Sequence, residues 1–153
     1  MKHTLILGLG NILKGDDGVG VAVVNELKKE VSSNKYLKII DGGTLGLDLL
    51  NYVEWADILI IIDAVNIDKQ PGTIIYSKIN NLNIDIPFGK TSHEVDLEDL
   101  LFSAKLLGVL PEKIIFYGIQ IEKISDGISL SRSVNENVDK LCAYIKKEIK
   151  DNI

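Results

Sequence analysis

The run Ile58-Leu59-Ile60-Ile61-Ile62, closed by Asp63, constrains the fold of this chain more than any other feature. β-branched side chains pack well on a pleated surface and lose rotamer freedom in a helix, so a run this rich in isoleucine favours a strand. Successive side chains of a strand point to opposite faces, and a run apolar at every position must therefore be covered on both sides. A parallel sheet flanked by helices supplies that cover, whereas an antiparallel sheet with one wet face does not. The run is also far shorter than the ~18 apolar residues of a membrane span, so no membrane insertion is expected.

The rest of the chain alternates strands with amphipathic segments. Residues 4–9 predict a first strand, and from about Gly18 the spacing of Val19, Ala22, Val23 and Leu27 predicts a helix. Residues 36–40 predict a second strand, 45–53 a short helix, 58–62 the third strand and 74–76 a fourth. The link from Asp63 to Pro71-Gly72 is shorter than the dozen or so residues a parallel crossover needs, so strand four is expected to run antiparallel to strand three. Leu97, Leu100, Leu101 and Ala104 mark a helix that starts near 91–94 and is stopped by Gly108 and Pro111. Residues 113–119 predict a fifth strand. A last helix carries Val134, Val138, Leu141, Cys142, Ile145 and Ile149 on one face, with Ser133 and Glu136 spaced as a capping box at its start. This order implies a three-layer α/β/α sandwich around a mostly parallel five-stranded sheet with one antiparallel strand. No repeat, linker or composition break divides the 153 residues, so 1–153 is expected to be a single domain.

Composition removes several function classes. The net charge is −5, with no basic stripe to neutralise phosphates, so no nucleic-acid partner is expected. The one cysteine, Cys142, cannot close an intrachain disulfide, and the amino-terminal apolar run breaks at Gly8 instead of forming a secretory core, which points to the cytoplasm.

Ligands of open parallel sheets bind beyond the carboxyl ends of the strands. Strand one exits into Gly8-Leu9-Gly10-Asn11-Ile12-Leu13-Lys14-Gly15-Asp16-Asp17-Gly18-Val19-Gly20, strand two into Asp41-Gly42-Gly43-Thr44 and strand three into Asp63-Ala64-Val65-Asn66. An antiparallel strand four obliges residues 78–92 to return across the sheet, which brings His93 at the start of the third long helix to the same edge. Asp16 or Asp17, Asp41, Asp63 and His93 are thus expected to face one cleft. A helix start disfavours the imidazolium form of His93, while Glu94 and Asp96 favour it. A neutral imidazole among carboxylates makes the mixed nitrogen and oxygen site that divalent transition metals accept.

Plainer roles exist for most of these residues. The glycines serve tight turns and close packing, either aspartate of the Asp16-Asp17 pair serves as a helix cap, and Asp41-Gly42 is ordinary turn chemistry. Asp63 resists such an account, because an unpaired carboxylate at the end of a central strand is costly. His3 reads as a strand residue, Lys146, Lys147 and Lys150 as a solvated face, and Cys142 as core. A dinucleotide fingerprint fails at Leu13, where its third glycine belongs, and Gly89-Lys90-Thr91 lacks the first glycine of a phosphate loop at Ile84. No serine elbow, His-Glu-x-x-His or paired-cysteine spacing is present.

Taken together, GLGNILKGDDGVG, DGGTLGLDLL, IIIDAV and TSHEVDLEDLL resemble the hydrogenase maturation endopeptidases through essentially the whole chain, with four motifs in register. The resemblance implies a three-layer α/β fold and removal of the carboxyl-terminal extension from the precursor of a nickel-iron hydrogenase large subunit. It puts the metal-binding carboxylates on Asp17 and Asp63 and the imidazole on His93. Asn11, Gly42, Gly43 and Thr44 fall in segments it assigns to the substrate, and Asp41 joins Asp17, Asp63 and His93 as a catalytic candidate. It further implies that these residues recognise nickel already installed in the substrate and not a metal held by the free enzyme. The chain departs from the family pattern at Ile121, where relatives often carry proline. No Ser, Cys or Thr is visibly paired with a base, so an activated water is expected in place of a covalent intermediate. The rival readings are a non-catalytic chaperone that checks nickel in the same precursor, and a nucleotide-binding module resting on the glycine-rich loop alone.

Overall fold

Five strands, Thr4–Leu9 (β1), Leu37–Gly43 (β2), Ile58–Val65 (β3), Ile74–Ile79 (β4) and Lys113–Gln120 (β5), form one sheet in the order β2-β1-β3-β5-β4 in the computed structural model of the chain. The described residues are 1–43, 45–87 and 94–152, the side chains of 94–96 excepted. β1, β2, β3 and β5 run parallel, and β4 runs antiparallel against β5. β4 is thus opposed to β3 in direction, as the short link between them requires, but its partner is β5 and it takes the outer edge. β3 keeps a parallel neighbour on each side and is buried at all eight positions.

Five helices are described: Val19–Glu30 (α1), Leu50–Trp55 (α2), Glu94–Leu106 (α3), Arg132–Asn135 (α4) and Val138–Asn152 (α5), with 3-10 turns at Asp16–Gly18 and Gly46–Leu49. The two-residue period of the strands sorts the core into two layers. Ile6, Ile39, Ile58, Ile60, Ile62, Ile115 and Ile119 pack under α1 and α5. Leu5, Leu7, Leu59, Ile61, Val65 and Phe116 pack under α2 and α3 on the other face. The result is the α/β/α sandwich, and no described helix is long and apolar enough to cross a membrane.

Two local expectations give way. The short helix expected at 45–53 is a 3-10 turn that runs into α2 and ends at Trp55. The capping box of Ser133 and Glu136 does not form: the cap position of α4 is Ser131, whose third helical residue is Val134, and the Ser133 hydroxyl has no hydrogen-bond partner among the described residues. Ile121, in place of the proline of the family pattern, donates its N–H to the Val65 carbonyl at 3.0 Å, a bond proline cannot make.

Candidate active site

The glycine-rich segment after β1 is shaped by backbone contacting backbone. A Cβ on Gly10, whose φ is +124°, would lie 2.0 Å from the Asp17 carbonyl, and one on Gly18 would lie 2.7 Å from the Ile12 Cα. A Cβ on Gly20 would meet the Ile62 and Leu9 carbonyls at 2.3 and 2.4 Å. The start of α1 is thereby pressed onto the carboxyl ends of β1 and β3. Two buried carboxylates, Asp16 and Asp17, stand at that helix start.

Neither of these aspartates caps α1, which follows Gly18 without a side-chain cap. Asp17 is fully buried, and its Oδ2 accepts the Asn11 N–H at 3.0 Å. Asp16 is turned elsewhere: Oδ1 accepts the Ser131 N–H at 2.7 Å, while Oδ2 accepts the Glu122 N–H at 2.9 Å, the Lys123 N–H at 3.3 Å and the Ser131 hydroxyl at 2.8 Å. The two neighbours thus part company, Asp17 facing the β1 exit and Asp16 the 122–131 loop.

Asp63 is also fully buried, and its Oδ1 accepts the Ala64 N–H at 2.8 Å. Its position in β3 gives it the parity of Leu59, Ile61 and Val65, on the α2 and α3 side of the sheet, and the Asp16–Gly18 turn packs against the same strand. α3 begins at Glu94. His93 and Thr44 lie outside the described residues. Among the described residues no group of three or more His, Cys, Asp or Glu is arranged to hold a metal ion.

Asp41 occupies different ground. It is exposed, its Oδ1 accepts the Gly43 N–H at 3.0 Å in a turn closed on itself, and its parity in β2 is that of Leu37 and Ile39, on the α1 side. With Gly10, Asn11, Ile12, Leu13, Val21 and Gly43 it lines an open cleft of about 300 Å³. Gly43, with φ +48°, leaves its side of the cleft free for an approaching backbone, whereas Gly42 is packed tight, a Cβ there meeting Leu7, Leu9 and Leu49 within 3.1 Å. Ile12 and Leu13, which line the cleft, are each at least half exposed. The cleft suits an extended, partly apolar peptide lying along glycine backbone.

Residues set aside in the sequence are structural. His3 stacks on Trp55 with ring centroids 4.5 Å apart, and its N–H reaches Asp57 at 2.8 Å, at the amino edge of the sheet. The Cys142 thiol donates to the Val23 carbonyl at 3.6 Å within the α1 and α5 layer, and burial pushes its pKa up to about 11. A thiol so held is a poor nucleophile at neutral pH. The sequence offered no sign that Ser131 and the 122–131 loop would abut the aspartate pair, since more than a hundred residues separate them.

A family model described as hydrogenase maturation protease matches residues 21–148. The chain is 31% identical over 151 residues to the hydrogenase expression/formation protein HupD of Rhodobacter capsulatus, spanning 97% of this chain and 72% of HupD. It is 29% identical over 149 residues to the hydrogenase 2 maturation protease of Escherichia coli, spanning 97% of this chain and 91% of that protein. Among solved structures, the hydrogenase maturating endopeptidase HybD from E. coli superposes with a TM-score of 0.87 at 28% identity, covering 98% of this chain and 93% of that one. A hydrogenase 2 maturation peptidase from a Thaumarchaeota archaeon gives 0.75 at 28% identity, covering 97% and 99%.

Proposed function

This chain belongs to the hydrogenase maturation protease family, and we propose that it cuts one peptide bond of a nickel-loaded hydrogenase large-subunit precursor, releasing the carboxyl-terminal extension. The observation that supports this reading is the two kinds of carboxylate that follow from the strand exits. Asp17 and Asp63 are held in the interior, and a separate, exposed, glycine-floored cleft carries Asp41. The buried pair, with His93 as the nitrogen donor, would recognise nickel as part of the substrate. Oxygen and nitrogen donors without thiolate suit a divalent transition ion, and three protein ligands leave positions for groups of the precursor. A metal bound there supplies Lewis-acid polarisation and a fixed anchor for the chain that carries it.

The cleft then receives the extension, with Asn11 and Gly43 along its path. Water reaches Asp41 without any movement of the loops. Asp41 takes a proton as the water oxygen bonds to the scissile carbonyl carbon, and returns it to the departing amine as the carbon–nitrogen bond breaks. A peptidase working among other proteins needs a device against premature cutting, and recognition of nickel in the precursor supplies it as differential binding of loaded over empty substrate. The cytoplasm is the compartment this role fits.

The experiment mixes metal-stripped enzyme separately with nickel-free and nickel-loaded precursor and follows the mass of the large subunit. Loss of the extension from the loaded form alone is the expected result. Binding without any mass loss would convert the reading to a nickel-checking chaperone. Efficient cutting of the nickel-free form, or activity restored only when metal is returned to the enzyme, would overturn recognition of substrate nickel and leave the peptidase standing.

A further inference from the structure

The carboxylate of Asp16 is buried, makes four hydrogen bonds and has no part in the site just described. We propose that Asp16 is a positioning residue: by clamping the 122–131 loop it sets the direction in which Asp17 points. The proposal rests on the reading that Asp17 belongs to the site.

Asp16 and Asp17 are neighbours in a 3-10 turn of three residues, where successive side chains project roughly 120° apart. A turn so short has little stability of its own, and its rotation about its axis must be fixed from outside. On one side backbone contact fixes it, through Gly10 against the Asp17 carbonyl and the Asn11 N–H on the Asp17 carboxylate. On the other side Asp16 is the fastener. Its oxygens gather three backbone N–H groups and a hydroxyl from a loop more than a hundred residues away, and a bond to an ionised acceptor is about twice as strong as a neutral one. Two backbone bonds flank it, Gly15 N–H to the Gly127 carbonyl at 2.8 Å and Gly127 N–H to the Leu13 carbonyl at 3.0 Å. The exposed Lys14–Asp126 pair at 2.7 Å adds little by comparison. Releasing Asp16 lets the turn rotate, and the rotation is delivered to Asp17.

The test measures processing of nickel-loaded precursor by D16A, D16N, S131A, D17A and D16A/D17A, each checked for a native circular-dichroism spectrum and for melting above the assay temperature. D16A should lower kcat/KM for nickel-loaded precursor by roughly tenfold to a hundredfold, the scale on which a group misplaced by an ångström fails. A rise in KM is part of that loss, since Asp17 is read as recognising the nickel of the precursor. D16N keeps the shape but turns an amide against at least one donor, so its kcat/KM should fall between D16A and wild type. S131A, which removes one of the four donors, should lose least. If D16A does not fold, the order of D16N below S131A below wild type carries the same inference. The double variant should be no slower than the residual rate of D17A, because misdirecting an absent carboxylate has no further effect. Wild-type kcat/KM in D16A and D16N beside an inactive D17A, or a D16A defect that multiplies that of D17A, would each overturn the proposal. Wild-type turnover in D17A would instead remove Asp17 from the site, a failure of the functional reading itself.

Discussion

Gly20 poses a contest between two effects of known size. It is the second residue of α1, where alanine is favoured over glycine by about 1 kcal/mol in helix propensity. A Cβ there would, however, stand 2.3 and 2.4 Å from two backbone carbonyls that cannot rotate away. Overpacking of this kind costs about 1–3 kcal/mol, and G20A is expected to be destabilised on balance, measured as a lower urea midpoint at unchanged slope. A stabilised G20A would show that α1 does not press on β3 as described. His93→Ala is expected to abolish most processing while shifting the melting temperature little, and normal processing would take His93 out of the site. The Cys142 thiol gives a pH test. Burial raises its pKa from 9.0 to about 11, so the folded state favours the neutral thiol. That contribution to stability is complete below about pH 9 and is lost as the pH rises toward about 11. Iodoacetamide at pH 8 should label the unfolded chain far faster than the folded one, and equal rates would contradict the buried thiol.

At the scale of the element, β3 makes the sharpest claim, because its neighbouring residues enter different cores. Ile60 packs under α1 and α5 and Ile61 under α2 and α3, both fully buried. I60A and I61A should therefore each cost about 2–5 kcal/mol in chemical denaturation. In a strand with one wet face, one of the two would be nearly silent. The composition of residues 58–62 was enough to expect this, since an unbroken apolar run carries its own statement about both faces. The edge position of β4 was not readable in the same way. A short link dictates that β4 runs against β3, but the partner depends on whether β5 arrives between them, which no residue near β4 encodes. The capping box at Ser133 failed for a related reason: Ser131 was already recruited by Asp16, and the helix began two residues earlier.

For the whole molecule, both helical layers share one sheet, so neither can leave without exposing a face of β3. A single calorimetric transition with matching calorimetric and van't Hoff enthalpies is the expected outcome, and two separate transitions would show that residues 1–153 are not one cooperative unit. The alternation of strands and helices, the two-sided burial of the centre and the collection of carboxylates at one sheet edge could all be derived from the residues in order, because periodicity and strand–helix connection rules act over short stretches of chain. The division of labour at that edge could not. Asp16 and Asp17 are the same residue type side by side, and no local propensity distinguishes them; the 122–131 loop does, through hydrogen bonds that span at least 106 residues. Asp41 and Asp63 both lie toward the carboxyl ends of parallel strands, Asp41 level with Ile62 and so one residue out of register with Asp63, and one lines an open cleft while the other is interior, because strand order and parity decide which face each meets. Side-chain direction and burial at a site are properties of what packs against it, and that becomes defined only when distant segments have met.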